Sequence, residues 1–592
     1  MAEQFTVGGR TIRGTLERAT GSAAGGRILL LFVHGWTLQP KSFLSVRAHA
    51  RTLYPQADHF VPKLPAEALS LWSADKVTEQ LLGDLDAVAT AGAYDEIILV
   101  GHSSGAVVTR AVWLRAMGAQ PNGDIDPAKA RPWAAKVTRI ILLAAVNRGW
   151  SPNVAMSPWM RLGLWLGSAW EFCFHSPLRA IFGTTGYIHD FRRGSAFVTT
   201  MRLQWLSAVR TFGPAMPLVV QVLGTVDTLI SPADNVDLVT GGDFFYIEAP
   251  RSGHLDVLDL EDPDRGPARE EIISLSLAGS GQALTQSSMT LTSDQVLDYF
   301  ADGLDDFDED PAASKSARLK VERGVFIIHG IRDYGFWTKK LAGRIKQKAR
   351  AGLCRTVTSS YGFFPMGPFI SKALRLRRVE WLLDQYVKAR ALYPNATLAF
   401  MGHSNGTYLM AHALDICPAV RFDRVVLAGS VLPSRYRWSE RIRTGQVEQV
   451  LNYVATGDWV VALFPKFLGL LPTTGLGGAG FDGFREQPPV QQVRFVKGDH
   501  SAAIREVLWD HAADFLIAGQ MSPVPAGAGF RPGRGATAGF LWGVLSLLLL
   551  PVLVIGAGWL GYGILTWDQA PWVVALSFLA YVFLISRVLT RL

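Results

Sequence analysis

The sequence has 592 residues, of which 49% are hydrophobic, and a formal net charge of +8 at pH 7. A chain of this length exceeds what one hydrophobic core supports, so we expect two domains of roughly 200 to 300 residues each. The small positive excess lacks a clustered basic face and argues against a nucleic-acid partner, while three scattered cysteines argue against a disulfide framework. The amino-terminal residues show no secretory signal pattern, so a cytosolic compartment is expected.

Continuous apolar runs in the first half predict buried strands. They lie at 27–33, 96–100, 139–145, 218–223 and 244–247, and the segments between them are long enough for crossover helices. Strands that alternate with helices in this way predict an α/β fold with a doubly wound, mostly parallel sheet. The ligand site of such a sheet is expected beyond the carboxyl ends of its strands.

The run at 96–100 leads directly into the sequence GHSSG at 101–105, and a helix is expected from about Ala106. A buried strand that passes through a small-residue turn into a helix is the context of a nucleophile elbow, with Ser103 as its serine. The glycines are needed because a Cβ there would collide with the neighbouring strand or helix. The same pattern returns as GHSNG at 402–406, with Ser404 as its serine. Two elbows predict two catalytic domains.

An insertion at 146–217 separates two strands of the first half and is rich in tryptophan and other apolar residues. Because it falls at the edge of the sheet where the site is expected, we interpret it as a cap that forms an apolar acyl pocket. The alternative is a helical subdomain with an ordinary core. We assign residues 1–300 to the first domain.

An acidic stretch at 301–320 has the low hydrophobicity and like charges of a solvated linker, and metal binding is the less favoured alternative. The second domain, 321–520, repeats the first, with apolar runs at 324–328, 397–401, 424–428 and 450–455. It lacks the large cap. An apolar, glycine-rich loop at 463–484 is expected to line its site instead.

A Pro/Gly-rich linker at 521–535 precedes two uncharged stretches, 536–567 and 570–586. Each approaches or exceeds the ~20 residues that cross a bilayer, so 536–592 is predicted to form a transmembrane hairpin. A pair of buried core helices is the alternative. Arginines flank both ends of the hairpin while its turn holds only Asp568, which predicts that both catalytic domains lie on the cytoplasmic face of an inner, bacterial membrane.

A serine hydroxyl needs a base within hydrogen-bond reach and a carboxylate that orients the base. In this topology the chain order is serine, acid, histidine, and each half supplies a set that follows apolar strands. The candidates are Ser103, Asp227 and His254 in the first half, and Ser404, Asp458 and His500 in the second. Asp234 and Asp499 compete for the role of the acid.

At these residues the chain resembles the α/β-hydrolase superfamily, especially its esterase and lipase-like members, in two copies over about 25–520. The resemblance implies that the serines are nucleophiles, the histidines are general bases and the aspartates orient them. It also implies two oxyanion holes built from backbone N–H groups, one of Trp36 with Ser104 and one of Ile331 with Asn405. Ala106 and Thr407 stand where many relatives have a further glycine after the elbow.

These features predict a membrane-anchored serine hydrolase that cleaves carboxylic esters, including lipid-derived ones. Medium or long acyl esters are expected to be preferred by the first domain. A thioesterase, an acyltransferase or a peptidase would use the same triads, and one domain could instead be a silent scaffold or interaction module. We expect no cofactor and no metal. The expected partners are an ester or lipid-like small molecule and the lipid bilayer, and the oligomeric state is left open.

Overall fold

The computed structural model describes residues 4–19, 27–68, 70–151, 186–238, 243–291, 296, 315–331, 333, 335–349, 352–471, 474–486, 488–529 and 536–591. The chain divides into two compact units. The first comprises Met1–Asp302 with Leu383–Leu392 and Cys417–Ala419, and the second comprises Gly303–Leu382, Tyr393–Ile416 and Val420–Leu592. Both predicted linkers lie partly outside the described residues.

The first unit is built on an eight-stranded, mostly parallel sheet. Its strands are β1 Gln4–Val7, β2 Arg10–Glu17, β3 Ile28–Val33, β4 Asp58–Pro62, β5 Glu96–His102, β6 Val137–Leu143, β7 Leu218–Gly224 and β8 Phe244–Ala249. They lie in the order β1-β2-β4-β3-β5-β6-β7-β8. The pairs β1/β2 and β2/β4 are antiparallel, and the neighbours from β4 to β8 pair in parallel.

The central strands of this sheet are apolar because they are buried on both faces. Every residue from Leu29 to Val33 is 0% exposed. Leu30 and Phe32 contribute to a core cluster with residues such as Val46 and Ile272, which come from two helices that pack together. The helices of the first unit are Leu44–Leu53, Ala74–Gly92, Ser104–Ala116, Ala196–Phe212, Pro232–Asn235, Gly266–Ala278 and Gly281–Gln286.

The second unit contains a six-stranded sheet in which all neighbours pair in parallel. Its strands are β9 Arg323–Ile328, β10 Cys354–Val357, β11 Thr397–His403, β12 Phe422–Ala428, β13 Val447–Ala455 and β14 Val490–Val496, in the order β10-β9-β11-β12-β13-β14. Each predicted apolar run of both halves overlaps one of the observed strands. The predicted α/β architecture with mostly parallel sheets is therefore confirmed.

Most described helices that follow Gly303 alternate with these strands, and the last three follow the final strand. The described helices are Lys315–Leu319, Phe336–Lys348, Met366–Ile370, Lys372–Leu392, Asn405–Ile416, Trp438–Arg443, Trp459–Leu468, Ala479–Asp482, Trp509–Ala518, Ala536–Leu565 and Pro571–Arg591. Of these, Lys372–Leu392 contributes residues to both units. The segment 463–484, predicted as a glycine-rich loop that lines the second site, is partly helical: its first residues belong to the helix Trp459–Leu468, and a helical turn follows at Ala479–Asp482. It is described except for 472–473.

The last two helices, Ala536–Leu565 and Pro571–Arg591, form where the membrane hairpin is predicted. The Tyr581 hydroxyl of the second donates to the Ala557 carbonyl of the first at 2.6 Å. In the part of the chain that the structure describes, no helix combines the length and apolarity that a bilayer crossing requires. The two helices are thus observed, but the predicted transmembrane character is not confirmed.

The predicted cap insertion at 146–217 is described only at its two ends, since residues 152–185 lie outside the described part. Trp159, Trp165 and Trp170 fall in that interval. Of the tryptophans that are described, Trp150 is 7% and Trp205 is 1% exposed, and Trp205 packs against Trp113 with ring centroids 5.4 Å apart. These two side chains are core residues of the first unit, and an acyl-binding role of the insertion stays a prediction.

Candidate active site

The turn between β5 and the helix Ser104–Ala116 has the strained geometry of an elbow. Ser103 has φ 56° and ψ −126°, a conformation that L-residues rarely adopt. A Cβ at Gly101 would stand 2.5 Å from the Ala106 Cα, and one at Gly105 would stand 2.4 Å from the His34 carbonyl oxygen. Only glycine fits at both positions, because the helix and the loop after β3 approach so closely.

The first unit joins its three candidate residues in one hydrogen-bonded chain. His254 Nε2 lies 2.9 Å from Ser103 Oγ, and His254 Nδ1 lies 2.9 Å from Asp227 Oδ2. The other carboxylate oxygen accepts the backbone N–H groups of Leu229 and Ile230, both at 2.9 Å. An ionised carboxylate only accepts, so Nδ1 carries the proton and the neutral imidazole presents Nε2 as the acceptor for the serine hydroxyl.

The competing carboxylate of the first unit has other partners. Asp234 is buried, forms an ion pair with Arg193 and accepts the hydroxyls of Ser151 and Ser231 at 3.1 and 2.8 Å. Its charge is therefore balanced by the arginine within the unit. The structure places Asp227, and not Asp234, against the imidazole of His254.

The histidine inside the first elbow supports the loop that carries His254. His102 Nε2 lies 2.8 Å from the His254 carbonyl oxygen, and the two rings are 5.1 Å apart. Burial lowers the pKa of His102 to about 3, so its imidazole is neutral near pH 7. A neutral ring that donates to a backbone carbonyl positions its neighbour and does not exchange protons with the serine.

The predicted oxyanion donors of the first unit lie next to each other, with one difference from the expectation. The Trp36 backbone N–H donates to the Ser104 hydroxyl at 2.9 Å. Because that hydroxyl accepts from Trp36, its own proton can be donated to a neighbouring oxygen. Tyr187, which is 1% exposed, approaches Ser104 with its phenol, and burial raises the pKa of this phenol above its usual range.

A shallow groove includes Leu255, the residue that follows His254 in the sequence. Leu38, Leu44 and Leu258 line it together with polar and charged residues such as Lys41 and Glu261, and its volume is about 350 Å³. The Leu255 side chain is 55% exposed. The groove therefore offers both apolar and charged groups, and His254 is not among its lining residues.

The second unit repeats the elbow and the pair of acid and histidine. Ser404 has φ 52°, and a Cβ at Gly406 would stand 2.6 Å from the Ile328 carbonyl oxygen. His500 Nδ1 lies 3.0 Å from both carboxylate oxygens of Asp458, whose side chain is 0% exposed. The competing Asp499 is exposed and accepts the backbone N–H of Ser501.

The second serine differs from the first in its contacts. Among the described residues, Ser404 makes no side-chain hydrogen bond to His500. Its Cβ and Oγ stand 2.8 and 3.3 Å from the point where a Cβ on Gly330 would lie. The second unit therefore holds acid and base in contact without a hydrogen bond between the base and the serine.

The predicted second oxyanion hole also has an aromatic neighbour. The Asn405 side-chain amide donates to the Tyr361 hydroxyl at 3.3 Å, and that hydroxyl donates to the His329 carbonyl at 3.0 Å. Tyr361 stacks on His329 with centroids 4.5 Å apart. No described side chain bonds to the backbone N–H of Ile331. Across the described residues, no three His, Cys, Asp or Glu side chains gather as a metal site would require.

Tyr187 and Tyr361 are the neighbours of the site that sequence reasoning missed. Each approaches the residue after an elbow serine, Ser104 or Asn405, from a distant segment. Neither tyrosine lies in a motif of its own. Their positions depend on tertiary packing, and no local pattern in the sequence indicates them.

No protein-family model matches the chain, and no curated protein matches it. Solved structures do match. Carboxyl esterase 2 from Tuber melanosporum is 12% identical, with a TM-score of 0.30, over 48% of this chain and 89% of that one. A peroxisomal alpha-beta-hydrolase from Saccharomyces cerevisiae is 13% identical, with a TM-score of 0.31, over 51% and 92%. A thermophilic esterase from Thermogutta terrifontis is 14% identical, with a TM-score of 0.26, over 46% and 100%. At these values the similarity identifies no substrate.

Proposed function

We propose that this protein is a serine hydrolase that cleaves carboxylic esters through an acyl-enzyme formed on Ser103. The observation that carries the proposal is the continuous chain from Ser103 through His254 to Asp227, with both bonds at 2.9 Å. A carboxylate that orients the base, a base within hydrogen-bond reach and a serine presented on a strained turn are what nucleophilic catalysis by serine needs. Geometry of this kind supports acyl transfer more directly than any other reaction class.

In the first half of the reaction, His254 Nε2 takes the proton of Ser103 while Oγ attacks the ester carbonyl. The carbonyl π electrons move to oxygen, which becomes the oxyanion of a tetrahedral intermediate. When the intermediate collapses, the bond between the carbonyl carbon and the leaving oxygen breaks. His254 gives its proton to that oxygen, so the leaving group departs as the alcohol. Asp227 remains ionised and stabilises the imidazolium in both directions.

In the second half, water replaces the alcohol. His254 takes a proton from the water, the hydroxide attacks the acyl carbon, and collapse of the second intermediate expels Ser103 Oγ, which recovers the proton. The proposed oxyanion donors are the backbone N–H of Ser104, at the start of its helix, and the Ser104 hydroxyl, which accepts the Trp36 N–H. One such donor lowers the barrier by about 3 kcal/mol.

The second unit supports a second site of the same class. Asp458 and His500 are in contact, and Ser404 occupies an equivalent elbow. A rotation of the Ser404 side chain between staggered conformers is a small rearrangement compared with a backbone change. We therefore propose that substrate binding completes this triad, whereas the first triad is already complete.

We further propose that the C-terminal hairpin attaches the protein to the cytoplasmic face of a membrane. Large apolar side chains of the hairpin support this, because Trp559, Trp572 and Phe583 are 78%, 67% and 66% exposed. A surface of this kind is apolar enough to associate with lipid. Lipid-derived esters would then be concentrated near both sites.

The proposal is tested by labelling the full-length protein with a fluorophosphonate and mapping the modified serines. We expect label on Ser103 and no label there in Ser103→Ala. In a Ser404→Ala background, which removes the second candidate nucleophile, hydrolysis of p-nitrophenyl esters should fall about 10⁴-fold in Asp227→Asn because the imidazole tautomer is no longer fixed. Asp264→Asn is the matched control, since Asp264 is 71% exposed and pairs only with the exposed Arg251 among described residues. Unlabelled Ser103 with full esterase activity would refute the proposal.

A further inference from the structure

The candidate acid of the second unit belongs to two structural features at once. The Asp458 carboxylate receives His500 Nδ1 at 3.0 Å and the backbone N–H of Val461 at 3.0 Å. The second bond makes Asp458 the N-cap of the helix Trp459–Leu468, called the capped helix below. Because one carboxylate holds both the helix and the imidazole, a displacement of the helix moves the acid away from the base.

The capped helix is apolar around most of its circumference. Val461, Ala462 and Pro465 are buried and occupy one side. Leu463 and Phe467, four residues apart, share the opposite side and are half-buried. A helix that is apolar on all sides needs cover on all sides, so its second side requires a packing partner.

The C-terminal hairpin contacts this helix. Its first helix, Ala536–Leu565, packs against the capped helix, and its second helix, Pro571–Arg591, packs against the short helix Met366–Ile370. All of these elements belong to the second unit. The hairpin therefore contacts two segments of that unit, one of which begins at the candidate acid.

A buried arginine connects the two segments that contact the hairpin. Arg375 is 0% exposed and donates to the carbonyls of Phe369 and Ile370, at the end of the short helix, and of Thr474, in the loop after the capped helix. Its guanidinium also lies over the Tyr408 ring, with its carbon 4.7 Å from the centroid. The two segments are thus held as one surface beneath the hairpin.

We propose that the C-terminal hairpin is a positioning element of the second active site: it holds the capped helix, and through it Asp458, against His500. The inference rests on the proposed function of that site. Asp227 in the first unit is held differently, by the N–H groups of Leu229 and Ile230 in a loop. The reactivity of Ser404 therefore depends on the hairpin contact, and that of Ser103 does not.

The test uses the full-length protein and compares the rates at which a fluorophosphonate labels Ser103 and Ser404, each followed by mass spectrometry of its peptide. Phe467→Asp places a charge on the side of the capped helix opposite its buried residues. We expect labelling of Ser404 to fall on the order of a hundredfold, because small displacements of catalytic groups have effects of this size. Labelling of Ser103 should be unchanged, and Phe467→Leu should retain the rate at Ser404.

The matched control is Leu319→Asp, which changes an exposed leucine of the second unit in the same way. Leu463→Asp is the second variant if Phe467→Asp fails to fold, as judged by its thermal transition. A positioning role also predicts non-additivity: in an Asp458→Asn background, Phe467→Asp should cause little further loss at Ser404. Losses that multiply would indicate a general structural defect and overturn the inference.

Other outcomes separate the inference from the proposed function. Unchanged labelling of Ser404 in folded Phe467→Asp and Leu463→Asp overturns the positioning role, while labelled Ser103 leaves the hydrolase proposal intact. A wild-type Ser404 that takes no label also overturns the inference. Absence of label at Ser103 counts against the proposed function instead.

Discussion

Two histidines next to the elbow serines form matching contacts with the loops of the candidate bases. His102 Nε2 lies 2.8 Å from the His254 carbonyl, and His403 Nε2 lies 3.2 Å from the His500 carbonyl. Since a carbonyl only accepts, each Nε2 carries a proton, and burial lowers the pKa of both rings to about 3. Each ring is thus a neutral support for the backbone that carries the base.

This burial makes the first unit sensitive to mild acid. The folded pKa of His102, about 3, lies below the ordinary value of 6.5, so the unfolded chain binds the proton first. Its contribution to stability is complete above about pH 6.5 and decreases as the pH falls toward 3. Between pH 6.5 and 5 we expect a loss of about 2 kcal/mol from this residue.

The measurement is urea unfolding of wild type and His102→Gln at pH 7 and pH 5. A glutamine amide can donate to the same carbonyl and does not titrate, so the variant should lose less stability between the two pH values. His403→Gln provides the corresponding comparison in the second unit, where the ring is equally neutral. Equal pH dependence of wild type and both variants would contradict the interpretation.

The two serines show which part of a site a sequence leaves open. The order of serine, acid and histidine, with strands before each, places the three residue types at one edge of a sheet, and both sets are brought together there. The direction of a hydroxyl depends instead on a single side-chain torsion. Ser103 is hydrogen-bonded to His254, whereas Ser404 makes no such bond to His500 among the described residues, although the elbows are nearly identical in sequence.

At the scale of elements, the predicted strands are those with a continuous apolar run. In β3, only the first residue has appreciable exposure. The strands that were missed, β1, β2, β4, β10 and β14, are mostly short or mixed in polarity. In β2, buried and exposed residues interchange along RTIRGTLE, while β4 is fully buried but short, and its sequence DHFVP begins with two polar residues. Strands of this kind leave no apolar run that distinguishes them from a loop.

The segment around Arg375 yields a prediction about the second unit alone. The guanidinium donates to three carbonyls and is 0% exposed, and Arg375 Nε has no acceptor among the described residues. In Arg375→Met the three carbonyls lose their donor, at a cost of roughly 1–3 kcal/mol for each buried group that stays unpaired. We expect a lower thermal transition for the second unit. Arg355→Met, at a partly exposed arginine of the same unit, is the control. Equal transitions in the two variants would refute this role for Arg375.

The whole molecule combines two sites whose acids are held in different ways. Asp227 is fixed by a loop, whereas Asp458 caps a helix that packs against the apolar hairpin. The position of Asp227 is therefore independent of the hairpin, whereas the position of Asp458 responds to a change in the environment of the hairpin. Labelling both serines in one sample makes each site the reference for the other.

The final prediction concerns lipid. The hairpin exposes Trp559, Trp567 and Trp572, and tryptophan favours the boundary between lipid and water. With a net charge of +8, the protein should bind anionic membranes more strongly than neutral ones. We expect the full-length protein to float with vesicles that contain phosphatidylglycerol, and less so with vesicles of phosphatidylcholine alone.

Vesicle binding should then change the labelling rate of Ser404 severalfold while that of Ser103 stays constant, because only the second acid is linked to the hairpin through the capped helix. The double variant Trp559→Ser, Trp572→Ser provides the comparison. Its hairpin loses apolar surface, while both elbows are unchanged. If the protein remains in the bottom fraction with both vesicle types, the hairpin does not attach to lipid. If it floats and both serines respond equally, the membrane acts on substrate supply rather than on the position of Asp458.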